Sequence, residues 1–268
     1  MPELTLTEIW IYPIKSLGGI SLTKSKVFEK GLQYDRRWML VDSDGKFMTQ
    51  RNYPELALLK VAFEGEELVI THNKKHKSHR IPLRPEITEH LSKAIVWKDT
   101  VKIIEVNNFT NNWFSELLEI SCKLVFFPES NERLVDPQYA SSETNVSLAD
   151  GFPFLIIGES SLNNLNQRLI NPVPMNRFRP NFVFKGGEAF IEDSFKEFSI
   201  GNNRFLGVKP CSRCVLTTVN QDTADKGIEP LQTLALYRKI NNKIYFGQNL
   251  LTIDQNEVSI GDVLTFPN

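Results

Sequence analysis

Two thiols, a guanidinium and three hydroxyls lie within Pro210-Cys211-Ser212-Arg213-Cys214-Val215-Leu216-Thr217-Thr218-Val219. A soft sulfur beside a cation is a place to hold a soft metal or an anionic cofactor. The same CxxC spacing also suits a structural zinc half-site, a redox dithiol, or two small side chains packed in a core. A closed zinc site takes four ligands, yet outside this stretch the chain offers only Cys122 and, far upstream, His72, His76, His79 and His90. An iron–sulfur cluster takes four thiolates against three cysteines here. A thioredoxin-type pair sits at a helix N-terminus, whereas residues 215–219 are rich in β-branched side chains and predict a strand. Pro210, without an N–H, places the cysteines on the turn where that strand begins. Spacing alone leaves the ligand and the inert pair both open.

Other candidates are cationic. Lys15-Ser16 stands before Gly18-Gly19 at the end of an alternating strand, 4–14, and is expected to be exposed there. An ammonium, a hydroxyl and free amides together bind phosphate, although an ordinary loop is the plain alternative. Arg36 and Arg37 precede a strand and point to opposite faces, so one can face a pocket while the other is solvated. Arg177 and Arg179 share a face if extended, with Phe178 turned away. Ser160 and Ser161 follow a buried-type strand, 152–158, and are placed to N-cap a helix over 162–170, whose start would be an anion site. The basic tract 72–80 reads as a solvated hairpin tip rather than a metal site.

The elements that must position these groups are mostly strands. Residues 20–28, 38–42, 56–63, 67–71, 101–106, 124–127, 182–184, 243–248 and 263–266 read as strands, with a turn at Asp42-Ser43-Asp44-Gly45. A helix over 109–120 closes a first, mostly β unit, and Glu229-Pro230-Leu231 opens another that runs to about 240, where Asn241-Asn242 ends it. A length of 268 residues allows one large or two medium domains. With 41% apolar and 24% charged residues and a net charge of −1, the chain does not read as a generic nucleic-acid or membrane-surface binder. It has no long apolar run and no signal-peptide pattern, and an odd cysteine count makes no disulfide framework, so a cytoplasmic setting is expected.

Seven short motifs follow one another in a recognisable order: Tyr12-Pro13-Ile14-Lys15-Ser16, Asp35-Arg36-Arg37-Trp38, Phe178-Arg179-Pro180-Asn181, Glu192-Asp193-Ser194-Phe195, Cys211-Ser212-Arg213-Cys214 with its Leu-Thr-Thr-Val tail, Glu229-Pro230-Leu231 and Phe246-Gly247-Gln248. By these the chain resembles the MOSC-domain proteins that carry an N-terminal β-barrel domain, among them the amidoxime-reducing components of mitochondria and their bacterial counterparts. The resemblance implies a mixed α+β, mainly β fold: an N-terminal β-barrel-like domain over 1–120, then a MOSC β-barrel domain with peripheral helices over 121–268.

The resemblance also implies a molybdenum cofactor, a molybdopterin whose dithiolene supplies two sulfurs, so that one protein cysteine suffices. Cys214 maps onto the molybdenum ligand. Lys15, Ser16, Arg36, Arg179, Ser212 and Arg213 map onto the holders of pterin and phosphate, with the Ser160–Ser161 helix start nearby. Asp193 is carried as a proton-handling group. The implied activity is reduction of N-hydroxylated or N-oxide compounds by oxygen-atom removal, fed by a separate flavoprotein, ferredoxin or cytochrome b5-like donor. The alternative is a non-catalytic cofactor carrier or sulfur-delivery module. Pyridoxal phosphate is associated with the superfamily, but no lysine here has a Schiff-base setting. The sequence departs from the pattern at Asn220-Gln221, where relatives often have Asp-Pro. It is also expected to lack the cluster domain of some bacterial relatives and the targeting and membrane segments of mitochondrial ones.

Overall fold

The alternation of the first strand, Leu4–Ile11, changes parity halfway. Leu4 and Leu6 are buried, then Ile9 and Ile11. A shift of pairing register between Leu6 and Glu8 accounts for it: one extra residue in the strand flips the inward set, as a β-bulge does. The computed structural model describes residues 3–86, 92–140 and 143–267; His90, among the histidines weighed as ligands, lies outside them.

Leu4–Ile11 is one stave of a closed barrel. It pairs with Phe182–Lys185, which runs parallel to Phe154–Gly158, and on its other side with Val263–Thr265. From there the ring passes through Glu197–Ile200 and Asn203–Arg213 to Lys243–Thr252, which closes it against Phe154–Gly158. Closure leaves no free edge among these staves. The interior is filled by aromatic rings: Phe154, Phe182, Phe205, Phe198, Phe195 and Phe184 form a continuous chain with centroids 4.9–6.0 Å apart. Burying each such side chain stabilises the fold by about 1.5–3 kcal/mol. Gly247, in the Phe246-Gly247-Gln248 motif, has φ +83°, and a Cβ there would lie 2.7 Å from Ile157. Glycine is the residue that this close approach allows.

The remaining strands build the other half. Trp38–Val41, Lys123–Phe126, Asp99–Glu105 and Ser92–Val96 form a 4-stranded sheet, and Leu59–Glu64, Glu67–His72 and Lys77–Pro82 a 3-stranded meander. Asn107 caps the helix Asn108–Leu118 by accepting from the Thr110 amide at 2.7 Å, and Phe114, Leu117 and Leu118 go into the core. The two halves are interlaced. The first strand of the chain lies in the C-terminal barrel, while Lys123–Phe126, read as the opening of the second half, pairs with Trp38–Val41.

Two local expectations are corrected. Residues 215–219 are not a strand: Val215–Thr218 is a 3-10 turn. The Thr217 and Thr218 hydroxyls donate back to the carbonyls of Cys214 and Val215 at 3.0 and 2.8 Å, offering the backbone an alternative to a ladder. The strand lies instead before the cysteines, as Asn203–Arg213, with Pro210 tolerated beside a register shift. Asn241-Asn242 is not a helix stop. Both residues have positive φ, 48° and 62°, and they turn the hairpin between Lys239–Ile240 and Lys243–Thr252; the helix, Leu231–Tyr237, has already ended.

Candidate functional site

Cys214 leaves the end of the strand Asn203–Arg213 and stands half-buried at the start of the 3-10 turn. Its extended φ of −130° and the Thr217 bonds to its carbonyl hold the backbone, leaving the thiol to face a cavity of about 140 Å³. Lys15, Ser16, Arg36, Arg179, Ser212 and Arg213 line the same cavity. Residues separated by nearly 200 positions are thus gathered round one sulfur. Among the described residues no group of three His, Cys, Asp or Glu side chains could hold a metal. A metal bound by Cys214 would have to bring most of its own ligands.

Lys15 was expected to be exposed, and it is 6% exposed. The chain turns inward after Pro13: the Lys15 amide donates to the Trp38 carbonyl at 2.7 Å. The ammonium donates to the Leu148 carbonyl at 2.8 Å and to Asp150 Oδ1 at 2.5 Å. Burial pulls its pKa down to about 8, against the opposing pull of Asp150. For Asp150, the desolvation that would raise its pKa is outweighed by Lys15 and Arg51, and the carboxyl is held well below the usual carboxylate range. Its side chain is nevertheless 62% exposed at the cavity mouth, so solvent screens the pair.

Arg36 and Arg179 clasp the Tyr12 ring from 4.4 and 4.1 Å. Arg36 is fixed by Asp35 Oδ2 at 2.6 Å and Asn181 Oδ1 at 3.2 Å, and Asp35 in turn accepts from the Tyr12 amide at 2.7 Å. Burial raises the Tyr12 phenol to about 12 and lowers Arg179 to about 10, so the first stays neutral and the second charged at neutral pH. Ser16, Arg36 and Arg179 all adopt left-handed φ, at 71°, 51° and 55°. A non-glycine residue gives up stability in that region, and three of them around one cavity mark a place where the backbone is bent to aim side chains.

Arg213 donates to the Phe178 carbonyl and to Cys211 Sγ, the latter at 2.9 Å. Its Nε and the Nη2 of Arg179 are buried with no partner among the described residues. Buried guanidinium N–H groups left unbonded cost stability unless a ligand accepts from them. Both belong to residues lining the thiol cavity, and the donor set suits a ligand with several anionic or carbonyl oxygens.

Other sequence candidates lie elsewhere. Asp193 does not line the cavity; its carboxylate pairs with Arg238 at the end of the C-terminal helix. Ser160 and Ser161 do not cap the helix Glu159–Asn166, whose N-cap is Gly158. Ser160 donates to the Gly187 carbonyl, while Ser161 donates to the fully buried Glu192, which also accepts from the Gly158 amide. Both hydroxyls are thus engaged within the fold, and neither serine lines the thiol cavity. Arg37, expected to be solvated, is 1% exposed and bound by Glu129 and the Lys30 and Asp35 carbonyls. Arg177 and Arg179 do not share an extended face, because Met175–Arg177 is a 3-10 turn. The basic tract is a hairpin, but His72 and His79 are buried in it; His72 Nδ1 accepts from the Lys74 and Lys75 amides.

Sequence reasoning missed Arg51. Its Nη1 lies 3.8 Å from Cys214 Sγ and its guanidinium lies over Trp97 at 4.2 Å. Also missed was a buried reciprocal amide pair: Gln221 donates to Gln50 at 2.8 Å and accepts from it at 3.1 Å, while Gln50 also donates to the Ser16 carbonyl at 2.7 Å. The polar run Thr49-Gln50-Arg51-Asn52 before Pro54 was the one available signal.

Fold and cavity together define a β-barrel protein that presents one thiol among converging cations. Residues 3–121 match the MOSC N-terminal beta barrel domain and residues 143–265 the MOSC domain. The chain belongs to the family of MOSC-domain proteins with an N-terminal MOSC barrel. It is 33% identical to mitochondrial amidoxime-reducing component 1 of Mus musculus, with 96% of this chain and 81% of that protein covered. Its identity to component 1 of Homo sapiens is 31% over the same shares. It is also 31% identical to the molybdenum cofactor sulfurase of Arabidopsis thaliana over 92% of this chain, but there it spans only 33% of the relative.

Proposed function

We propose that the chain binds a molybdenum cofactor of the molybdopterin type in the Cys214 cavity and reduces N-hydroxylated compounds by removing the oxygen of an N–O bond. The observation that carries this reading is the meeting of one half-buried thiol with two buried guanidinium N–H groups that lack an acceptor among the described residues. Thiolate is a soft ligand, and a dithiolene brings further sulfurs, which answers the lack of a protein ligand cluster. Cys214 would hold molybdenum, while Lys15, Ser16, Arg36, Arg179, Ser212 and Arg213 would hold the phosphate and pterin. Bound there, the group supplies a two-electron redox couple for oxygen removal.

The chain's own residues position and charge the site. Arg51 keeps a cation beside the thiol, and Asp150 holds the Lys15 ammonium at the mouth. For each substrate the nitrogen loses its oxygen as water, with two electrons and two protons taken up. The electrons come from a separate redox protein.

A cofactor carrier or sulfur-delivery module would use the same contacts. Coverage favours the reductase, since the chain spans 81% of the mouse amidoxime-reducing relative but only 33% of the sulfurase. Metal analysis of the purified protein, pterin fluorescence after acid release, and turnover of benzamidoxime with reduced viologen test the reading together. Molybdenum, pterin and turnover are expected. Bound cofactor without turnover would leave the carrier, and protein free of molybdenum from a host that makes the cofactor would sink both.

A further inference from the structure

The segment that sends Arg36 into the thiol cavity sends its neighbours Tyr34 and Arg37 to another cavity, of about 610 Å³. The two share no lining residue. The second opens where the ends of three strands come together, Lys24–Phe28, Lys77–Pro82 and Lys123–Phe126. Its walls are the half-buried rings of Phe28, Tyr34 and Phe126 together with Leu83, Pro85 and Pro128. Small-molecule sites commonly have volumes of about 300–1,000 Å³ and mostly apolar walls with a few polar groups. Tyr34 is held at φ +66°, a region in which a bulky side chain is an outlier. Its ring stands edge-on to Phe63 at 5.7 Å, and its hydroxyl makes no hydrogen bond among the described residues.

Three charges border this apolar space, and they do not cancel. Glu129 is engaged, its Oε1 accepting from Arg37 Nε at 2.5 Å. Arg37 itself is sealed, its side chain 1% exposed. Its Nη2 nevertheless makes a single bond among the described residues, a long one of 3.4 Å to Glu129 Oε2. Arg84 is exposed and has neither an ion pair nor a hydrogen-bond partner among the described residues. Two guanidiniums against one carboxylate leave an excess of positive charge. A guanidinium fork matches the two oxygens of a carboxylate.

We propose that this cavity binds the anion of a flat apolar acid, with its ring system against Tyr34 and Phe126 and its carboxylate on Arg84. Walls of rings and prolines suit a planar body, and a rigid ligand gives up less freedom on binding than a chain-like one. The site is independent of the chemistry at Cys214.

The probes are 2-naphthoate and its neutral counterpart 2-naphthamide, titrated by calorimetry into the purified full chain at pH 7. Naphthoate is expected to bind about tenfold more tightly than the amide, as one charge-assisted bond at an exposed guanidinium implies. Arg84→Gln should bring naphthoate to the level of the amide and leave the amide unchanged. Arg84→Lys, which keeps the charge without the fork, should recover part of the difference. Ser130→Trp, at an exposed position on the cavity wall, should fill the space and weaken both compounds with the denaturant midpoint unchanged. Equal affinity for acid and amide, or no binding of either, would overturn the assignment. Naphthoate binding that survives Arg84→Gln would place the anion among the cations of the thiol cavity and overturn it too. So would a dimer in light scattering that Ser130→Trp splits, because a second copy of the chain would then be what covers these rings.

Discussion

The guanidinium of Arg51 stands 3.8 Å from the sulfur of Cys214. One side chain from the turn after Met48 thus reaches the thiol, while its other face covers Trp97. Cys211 is held differently. It is packed partly against the core that includes Phe178 and Phe246, and its sulfur accepts from Arg213 at 2.9 Å. The two thiols of the CxxC are not equivalent.

That asymmetry predicts unequal variants. Cys214→Ser should lose molybdenum and turnover, since a harder and less acidic hydroxyl replaces the soft sulfur. Cys211→Ser should keep most of both, at a stability cost of about 1 kcal/mol for one altered contact. Metal content and viologen-driven turnover measured on both proteins decide the matter. Complete and equal loss in the two would mean that they act as a dithiol.

Lys15 gives the site a pH dependence. Its folded pKa is about 8, lowered chiefly by burial. Below that pH the ammonium is present to hold an anion; above it the charge is lost, so affinity falls as pH rises. Sulfate, which does not titrate in this range, should bind the cofactor-free protein about tenfold more weakly at pH 9 than at pH 7, the worth of one charge-assisted bond. Lys15→Arg keeps its charge throughout and should flatten the profile. An unchanged slope in the arginine variant would assign the titration to another group.

The Gln50–Gln221 pair makes a prediction about stability. Both side chains are buried, and each satisfies the other's amide. Truncating either to Ala strands a buried polar group, at about 1–3 kcal/mol. Changing both to Leu should cost less than the sum of the single changes, because no half-pair is left behind. Denaturant midpoints for the singles and the double would show this coupling. Strict additivity would mean that the amides do not depend on each other.

Much of the fold was written in alternation and motif order, and the reason is local. Phe154, Phe182 and Phe184 sit in short apolar runs, so their barrel strands were readable, whereas Glu197–Ile200 and Asn203–Arg213, broken by polar residues, were not read as strands. Lys15, Ser16, Arg36, Arg179, Ser212, Arg213 and Cys214 belong to motifs in a fixed order, and the structure places all of them around one cavity. What was not readable depends on contacts between distant segments. Arg36 and Arg37 are the same residue type at adjacent positions, yet one lines the cavity and the other is sealed against Glu129. Arg51, Trp97 and Asp150 look ordinary in their own neighbourhoods and meet only through tertiary packing. Thr217 and Thr218 carry a strand-like signal that their own hydroxyls overrule by bonding backwards.

The last prediction concerns the source of electrons. Every turnover of an N–O bond consumes two electrons, and the site must be reduced again before the next. The sequence has no Gly-x-Gly-x-x-Gly fingerprint to hold a dinucleotide, and its three cysteines are too few for a cluster of four thiolates. Cys122, moreover, is buried beside the helix Asn108–Leu118, its thiol pushed up by desolvation and its sulfur 3.8 Å from Ser115 Oγ. Reduced nicotinamide nucleotide alone should therefore support no turnover of benzamidoxime by the pure protein. Adding a flavoprotein with a ferredoxin, or reduced viologen, should start it. Electron-transfer partners commonly meet through small, charge-complementary faces, so the protein-driven rate should fall with salt while the viologen-driven rate changes little. Steady turnover with the nicotinamide nucleotide as sole reductant would show that the chain accepts electrons by a route its residues do not reveal.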